Sequence, residues 1–288
     1  PASDAVAALG IAGSQASGTM EYLATGSTTK QLHPGWASLA GIVAARLAAA
    51  GASGPNTIIE GERGLYALYA DVSPDLAGIT EGLGERWETT KSSIKPYPAC
   101  YLLRPTLDAA ASLFGNVSPS AIEEIQLGFP AQSIPIVCEP VGPKIAPRTT
   151  YEAKFSAQWS TAAMIVDGSV DVDTFDPDQL ARPDLMRLAE RTHCYTVPSA
   201  DAMANTPADI TIRLGDGSTL HATSEVDPDQ ISGLSEDAIL TKFMANVGGD
   251  KGAAKDLLDG FLHVAELDDV TDITALAAGV AASWGHDS

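Results

Sequence analysis

A lysine, a tyrosine, a cysteine and an arginine fall between residues 95 and 104 of "KSSIKPYPACYLLRPTLDAA" (residues 91–110). Ammonium and guanidinium groups hold carboxylates through charge-assisted hydrogen bonds, and a phenol or thiol can carry a proton. Lys95, Tyr97, Cys100 and Arg104 are therefore the first candidates for a site. A second set sits in "TGSTTKQLHPG", where Lys30 and His33 follow Thr28 and Thr29. A lysine beside a histidine can bind a carboxylate and move a proton. The third set is Lys154, Gln158 and Trp159 in "YEAKFSAQWSTAAMIVDG". Each residue also has an ordinary reading: a solvated loop lysine, a histidine packed in a helix elbow, a small buried thiol, a core tryptophan. Taken alone, these residues reach as far as an anion site at a domain junction.

The composition narrows the classes of partner. Hydrophobic residues make up 45% of the 288, a globular composition with room for two domains. A net charge of −20 argues against nucleic acid, which needs cationic surface, and only 17 Lys and Arg are present. Three cysteines without motif spacing argue against a disulfide framework or a thiolate metal site and fit a reducing cytoplasm. The histidines are scattered, so no metal centre is expected. "WASLAGIVAARLAAAG" is interrupted by Gly41 and Arg46, and no membrane span is expected. No signal peptide, nucleotide-binding glycine loop or nucleophile elbow is visible. The chain begins at Pro1 directly in helical sequence, so a missing N-terminal portion is expected.

The elements that must position the candidates follow from periodicity. Residues 1–50 read as two alanine-rich helices around a polar loop, with Ser3 or Asp4 as cap of the first. Pro34 marks the start of the second, which runs to Ala50 and reads as buried among helices. After about residue 90 the character changes. "AIEEIQLGFP", "YTVPS" and "ADITIRLGDGSTLHATSE" have strand composition, and Asp216-Gly217 signals a hairpin. Between them "YEAKFSAQWSTAAMIVDG" reads as one helix with Phe155, Trp159, Ala162, Ala163 and Val166 on a face, and "DPDQLARPDLMRLAERT" as another. Helices return from about residue 232, with Ser235-Glu236-Asp237 as a capped start. The expected fold is mainly α with an α+β insertion: a helical domain over 1–90 and 231–288, interrupted by an α+β lid over 91–230.

"TTKQLHPGWASLAGIVAARLAAAGASGP" with "IIEGERGLY", then "SSIKPYPAC", then "YEAKFSAQWSTAAMIVDG" resemble, in order, three hallmark segments of the MmgE/PrpD family. That family includes 2-methylcitrate dehydratase, cis-aconitate decarboxylase and iminodisuccinate epimerase. The resemblance implies an all-helical, usually dimeric domain interrupted by an α+β lid, with the active site between them. It implies that Lys30 and Lys95 line that site, with His33 as the motif histidine. Cys100 then stands where some members carry histidine, Arg104 where relatives commonly have histidine, and Trp159 where decarboxylase-like members carry tyrosine. The family also has a helical stretch ahead of the point matching Pro1, bearing further site residues.

The expected function is a cofactor-independent lyase of a small di- or tricarboxylic acid, without metal. Lys30, His33 and Lys95 are the expected catalytic residues, and Tyr97, Cys100, Arg104 and Trp159 the substrate-binding ones. Dehydration of 2-methylcitrate ranks first, ahead of cis-aconitate decarboxylation and epimerisation. The reading from another class is a non-catalytic fragment or one chain of a two-chain assembly. The expected partners are the carboxylate and a second copy joined through the helical domain.

Overall fold

A computed structural model describes residues 1–70, 75–92, 94–198, 206–224, 234–247 and 250–283. The chain divides into two compact units, Pro1–Thr90 and Lys91–Ser288. The expected return to helical domain near residue 231 falls outside the described residues.

The first unit is built on helices α1 (Ala2–Gly13) and α2 (Leu32–Ala49), which pack on each other. Neither expected cap is used, since α1 starts directly after Pro1 with no side-chain cap. Helix α2 starts earlier than Pro34, because the turn Thr28–Gln31 runs straight into it. Its buried residues are Ala40, Ala44 and Ala48, a stripe at four-residue spacing that lets backbones approach closely. Closeness is also set at Gly10, where a Cβ would lie 2.5 Å from the Pro55 carbonyl oxygen. The large apolar residues of α2 are not the buried ones. Leu32, Trp36, Leu39, Ile42, Val43 and Leu47 are all exposed, so the helix is not enclosed all round in this chain.

The second unit holds helix α3 (Arg104–Ala111), strand β1 (Ile122–Pro130), helices α4 (Ala157–Asp167) and α5 (Pro183–Glu190), and strands β2 (Thr192–Val197), β3 (Ala208–Leu214) and β4 (Thr219–Ser224). The strands form one sheet in the order β2-β1-β3-β4. Strand β2 runs parallel to β1, with Leu127 opposite Cys194, and its helical crossover is the connection a parallel pair needs. Strands β3 and β4 form the expected hairpin, closed where Gly217 adopts φ +86° and Asp216 accepts from the Ser218 amide. Ile125, Leu127 and Phe129 alternate along β1 into a core shared with Leu103 and Leu107 near the start of α3 and with Trp159 and Ala163 of α4.

The region read as one helix from Tyr151 to Gly168 is two. A short turn, Thr150–Ala153, ends before Ser156, whose hydroxyl accepts from the Trp159 amide and caps α4. The apolar pattern continues across the break, which hid the cap. Every residue from Ala157 to Ile165 is buried, so α4 is enclosed and not one-faced. Three α-helices follow among the described residues: α6 (Glu236–Val247), α7 (Lys251–Leu262) and α8 (Thr271–Ser283). Ser235 accepts from the Ala238 amide, as its sequence context indicates. Leu257, Ile273 and Val280 form a small separate core among these helices. No helix among the described residues is long and apolar enough to cross a membrane.

Candidate functional site

In the first unit, Lys30 and His33 share one neighbour, Tyr22. The Lys30 ammonium lies 5.6 Å from the centre of the Tyr22 ring, and the His33 ring meets it edge-on at 5.8 Å. Lys30 is exposed on the turn Thr28–Gln31, and His33 is half-buried in the first turn of α2. Gly18, at φ +114°, lies against the imidazole, and a Cβ there would sit 3.4 Å from Nδ1. A cleft of about 680 Å³ opens beside them, lined by Gly18, Thr29, Leu32, His33 and Trp36 among others. An imidazole on the wall of a cleft, next to a cation in water, is an arrangement suited to holding an anion and transferring a proton.

In the second unit, the prolines shape a compact turn. Lys95 is exposed, and its ammonium donates back to the Ala99 carbonyl at 3.2 Å. Lys242 of α6 donates to the Pro96 carbonyl at 3.3 Å, and the Cys100 amide donates to the Lys154 carbonyl at 2.8 Å. The turn is thus fastened at three points before the chain enters α3. Pro105 occupies the first turn of α3, where its missing amide costs nothing.

Helix α3 then brings in residues that the sequence reading did not select. The Tyr97 hydroxyl donates to Asp108 Oδ1 at 2.7 Å, and Arg104 Nε lies 3.5 Å from Asp108 Oδ2. Arg104 also donates from Nη1 to the Tyr101 hydroxyl at 3.1 Å and lies over that ring. Its Nε is buried and makes no aligned hydrogen bond, so the 3.5 Å approach is a charge contact. Burial, reinforced by the bond to Asp108, pushes the Tyr97 phenol well above its ordinary value. At neutral pH it is a fixed donor. Asp108 was legible in principle, because it stands four residues after Arg104 on a helix and such pairs face each other.

The structure therefore brings Tyr97, Arg104, Tyr101 and Asp108 into one network, with Lys95 and Cys100 on the turn beside it in sequence. Trp159 is placed differently. It is fully buried, tilted against Phe175 at 5.8 Å between ring centres, and has no open surface within its own unit. Its indole nitrogen and the Gln158 Oε1 atom are buried without hydrogen-bond partners. Lys154 lies 5.5 Å from the Phe175 ring. Among the described residues no cluster of His, Cys, Asp or Glu is arranged to hold a metal ion.

Comparison with known proteins gives these residues a family setting. The MmgE/PrpD N-terminal domain matches residues 1–75, which include Lys30 and His33. The MmgE/PrpD C-terminal domain matches residues 97–259, which include Tyr97, Cys100, Arg104 and Trp159. Cis-aconitate decarboxylase of Mus musculus is 30% identical, over 93% of this chain and 55% of that protein. The Homo sapiens protein of the same name is 28% identical, over 93% and 56%. A cis-aconitate decarboxylase-like protein of Aspergillus oryzae is 24% identical, over 96% and 60%. The chain thus spans little more than half the length of these relatives. With both domain models matched in order along it, the chain belongs to the MmgE/PrpD family.

Proposed function

We propose that this chain carries the carboxylate-binding and proton-transfer groups of a cofactor-independent lyase acting on a small unsaturated tricarboxylic acid, with cis-aconitate as the first substrate to test. The supporting observation is a pair of fixed cationic anchors, Lys95 on its proline-held turn and Arg104 in its Tyr101–Asp108 setting, in a chain of net charge −20. The names of the relatives move decarboxylation ahead of 2-methylcitrate dehydration, which remains the second reading. In decarboxylation the bond to one carboxylate carbon breaks and carbon dioxide leaves. Its electron pair is then protonated on carbon. Lys30, Lys95 and Arg104 would hold the remaining carboxylates and stabilise the carbanion, and His33 would deliver the proton.

The finer organisation belongs to the same proposal. Residues 91–230 would be a lid on a helical domain formed by 1–90 and 231–288, and the protein would be a cytoplasmic homodimer. The exposed apolar face of α2 supports a further covering partner for the helical part.

The test is turnover by the polypeptide that carries this chain. Cis-aconitate, 2-methylcitrate and citrate are offered in parallel, and unsaturated acid and carbon dioxide are followed. Lys95→Ala is expected to lower kcat/KM at least a hundredfold while leaving the thermal midpoint unchanged, since Lys95 is exposed and makes one backbone bond. Full activity in both Lys30→Ala and Lys95→Ala would refute the assignment.

A further inference from the structure

A cleft of about 460 Å³ in the second unit involves none of the candidate lyase residues. Small-molecule sites commonly enclose about 300–1,000 Å³. Helix α5 and the residue that caps its C-terminus contribute Asp184, Arg187, Leu188 and Arg191. The turn that leads into β1 contributes Ser118, Pro119 and Ser120, and α4 contributes Val166. Asp184 is already matched: Arg182 donates to its two oxygens at 2.6 and 3.3 Å, and also holds Asp167. Arg187 and Arg191 stand four residues apart, a spacing that puts both on one face of a helix. Arg191 donates from Nη1 to the Ile122 carbonyl at 2.5 Å, which fixes its guanidinium. Among the described residues the Arg187 guanidinium has no hydrogen bond or ion pair. The Ser118 and Ser120 hydroxyls lie 2.9 Å apart, so one donates to the other and the second O–H is left to donate outward.

We propose that this cleft is a binding site for a small phosphomonoester with an apolar organic part. A guanidinium pairs with phosphate oxygens through parallel N–H bonds, and two guanidiniums on one face balance a dianion. A phosphate head carries a charge of about −1.5 to −2 at neutral pH and three acceptor oxygens, so it uses two guanidiniums and a hydroxyl together. A carboxylate, with two oxygens and a single charge, leaves part of that donor set unmatched. Pro119, Val166 and Leu188 offer the organic part an apolar wall that inorganic phosphate alone leaves uncovered.

The two arginines have different parts. Arg191 is held by the strand it precedes, so it is a preorganised donor whose removal also costs the bond to Ile122. Arg187 lies in the last turn of α5, where a cation also offsets the negative end of the helix. It is exposed and unpaired among the described residues, so its removal takes charge from the cleft without breaking a bond. Arg187 is therefore the residue that separates ligand binding from support of the fold.

The experiment titrates the polypeptide that carries this chain with phenyl phosphate, inorganic phosphate and benzoate by calorimetry at fixed ionic strength. Phenyl phosphate is expected to bind about tenfold tighter than inorganic phosphate, because its ring covers the apolar wall, and tighter than benzoate. Arg187→Gln is expected to weaken phenyl phosphate about tenfold or more while the protein stays folded, with Arg187→Lys in between. Ser118→Ala with Ser120→Ala gives a smaller loss and serves as the second probe if Arg191→Gln fails to fold. Lys30→Ala and Lys95→Ala leave this affinity unchanged, which separates the cleft from the lyase site. The proposal is overturned if no phosphate saturates the protein, if Arg187→Gln lowers only the thermal midpoint, or if Lys95→Ala abolishes binding. The lyase reading stands or falls by turnover, independently of the first two results.

Discussion

Asp108→Asn tests whether the network on α3 is held by charge or only by shape. The substitution preserves volume and leaves an oxygen to accept from Tyr97, but removes the negative charge facing Arg104. A hydrogen bond to a charged group contributes about 1.5–3 kcal/mol and a neutral one about 0.5–1.5, so this bond weakens by about 1 kcal/mol. Arg104 is 12% exposed, which places its contact with Asp108 between a surface pair and a buried one. Loss of that counter-charge adds about another 1 kcal/mol. The sum, about 2 kcal/mol, corresponds to a fall of about 4–8 °C in the midpoint of a unit this size.

The same substitution has a signature in pH. Tyr97 is raised above its ordinary 10.0 by burial first and by Asp108 second. A raised pKa means that the folded state keeps a proton the unfolded chain loses above about pH 10. The resulting stability is complete below that pH and is lost as pH rises towards the folded value. In Asp108→Asn the phenol titrates lower and the alkaline loss is shallower. Thermal melts between neutral pH and pH 11, with tyrosinate absorbance followed alongside, measure both. An unchanged midpoint together with an unchanged phenol titration would refute the argument.

Two further substitutions probe the frame around the candidate residues. Gly10→Ala and Gly41→Ala are expected to have opposite signs, although helix propensity favours alanine by about 1 kcal/mol at both. At Gly10 the new Cβ meets the Pro55 carbonyl oxygen at 2.5 Å and backbone must move, so thermal melts should show a net loss of about 1–3 kcal/mol. At Gly41 nothing lies within 4 Å of the new Cβ, and a gain of about 0.5–1 kcal/mol is expected. Glu152 is nearly buried, and although burial raises its pKa, the bonds from the Arg148 amide and guanidinium outweigh this and hold it below its ordinary 4.5. Its contribution is present above about pH 4.5 and lost as pH falls through the lower folded value, so Glu152→Gln should flatten the acid limb of a stability curve.

What the sequence made legible depends on how far apart the interacting residues lie. The Asp216-Gly217 hairpin and the Ser235 cap are local devices, complete within a few residues, and each is found where the sequence indicates. The Ser156 cap is equally local, yet the apolar run on both sides of it gave a helical period that continued through the break. Burial is harder still. Small and large apolar residues read alike in a periodicity argument, and only packing shows that α2 buries its alanines and exposes Trp36 and Ile42. Hardest are contacts made by the crossover between β1 and β2. Leu127 and Cys194 lie on either side of α4 and α5 in sequence, so their spacing carries no motif, and the parallel pairing alone sets them opposite each other. In a chain with a parallel pair, the residues of the returning strand are the ones whose partners a linear reading cannot see.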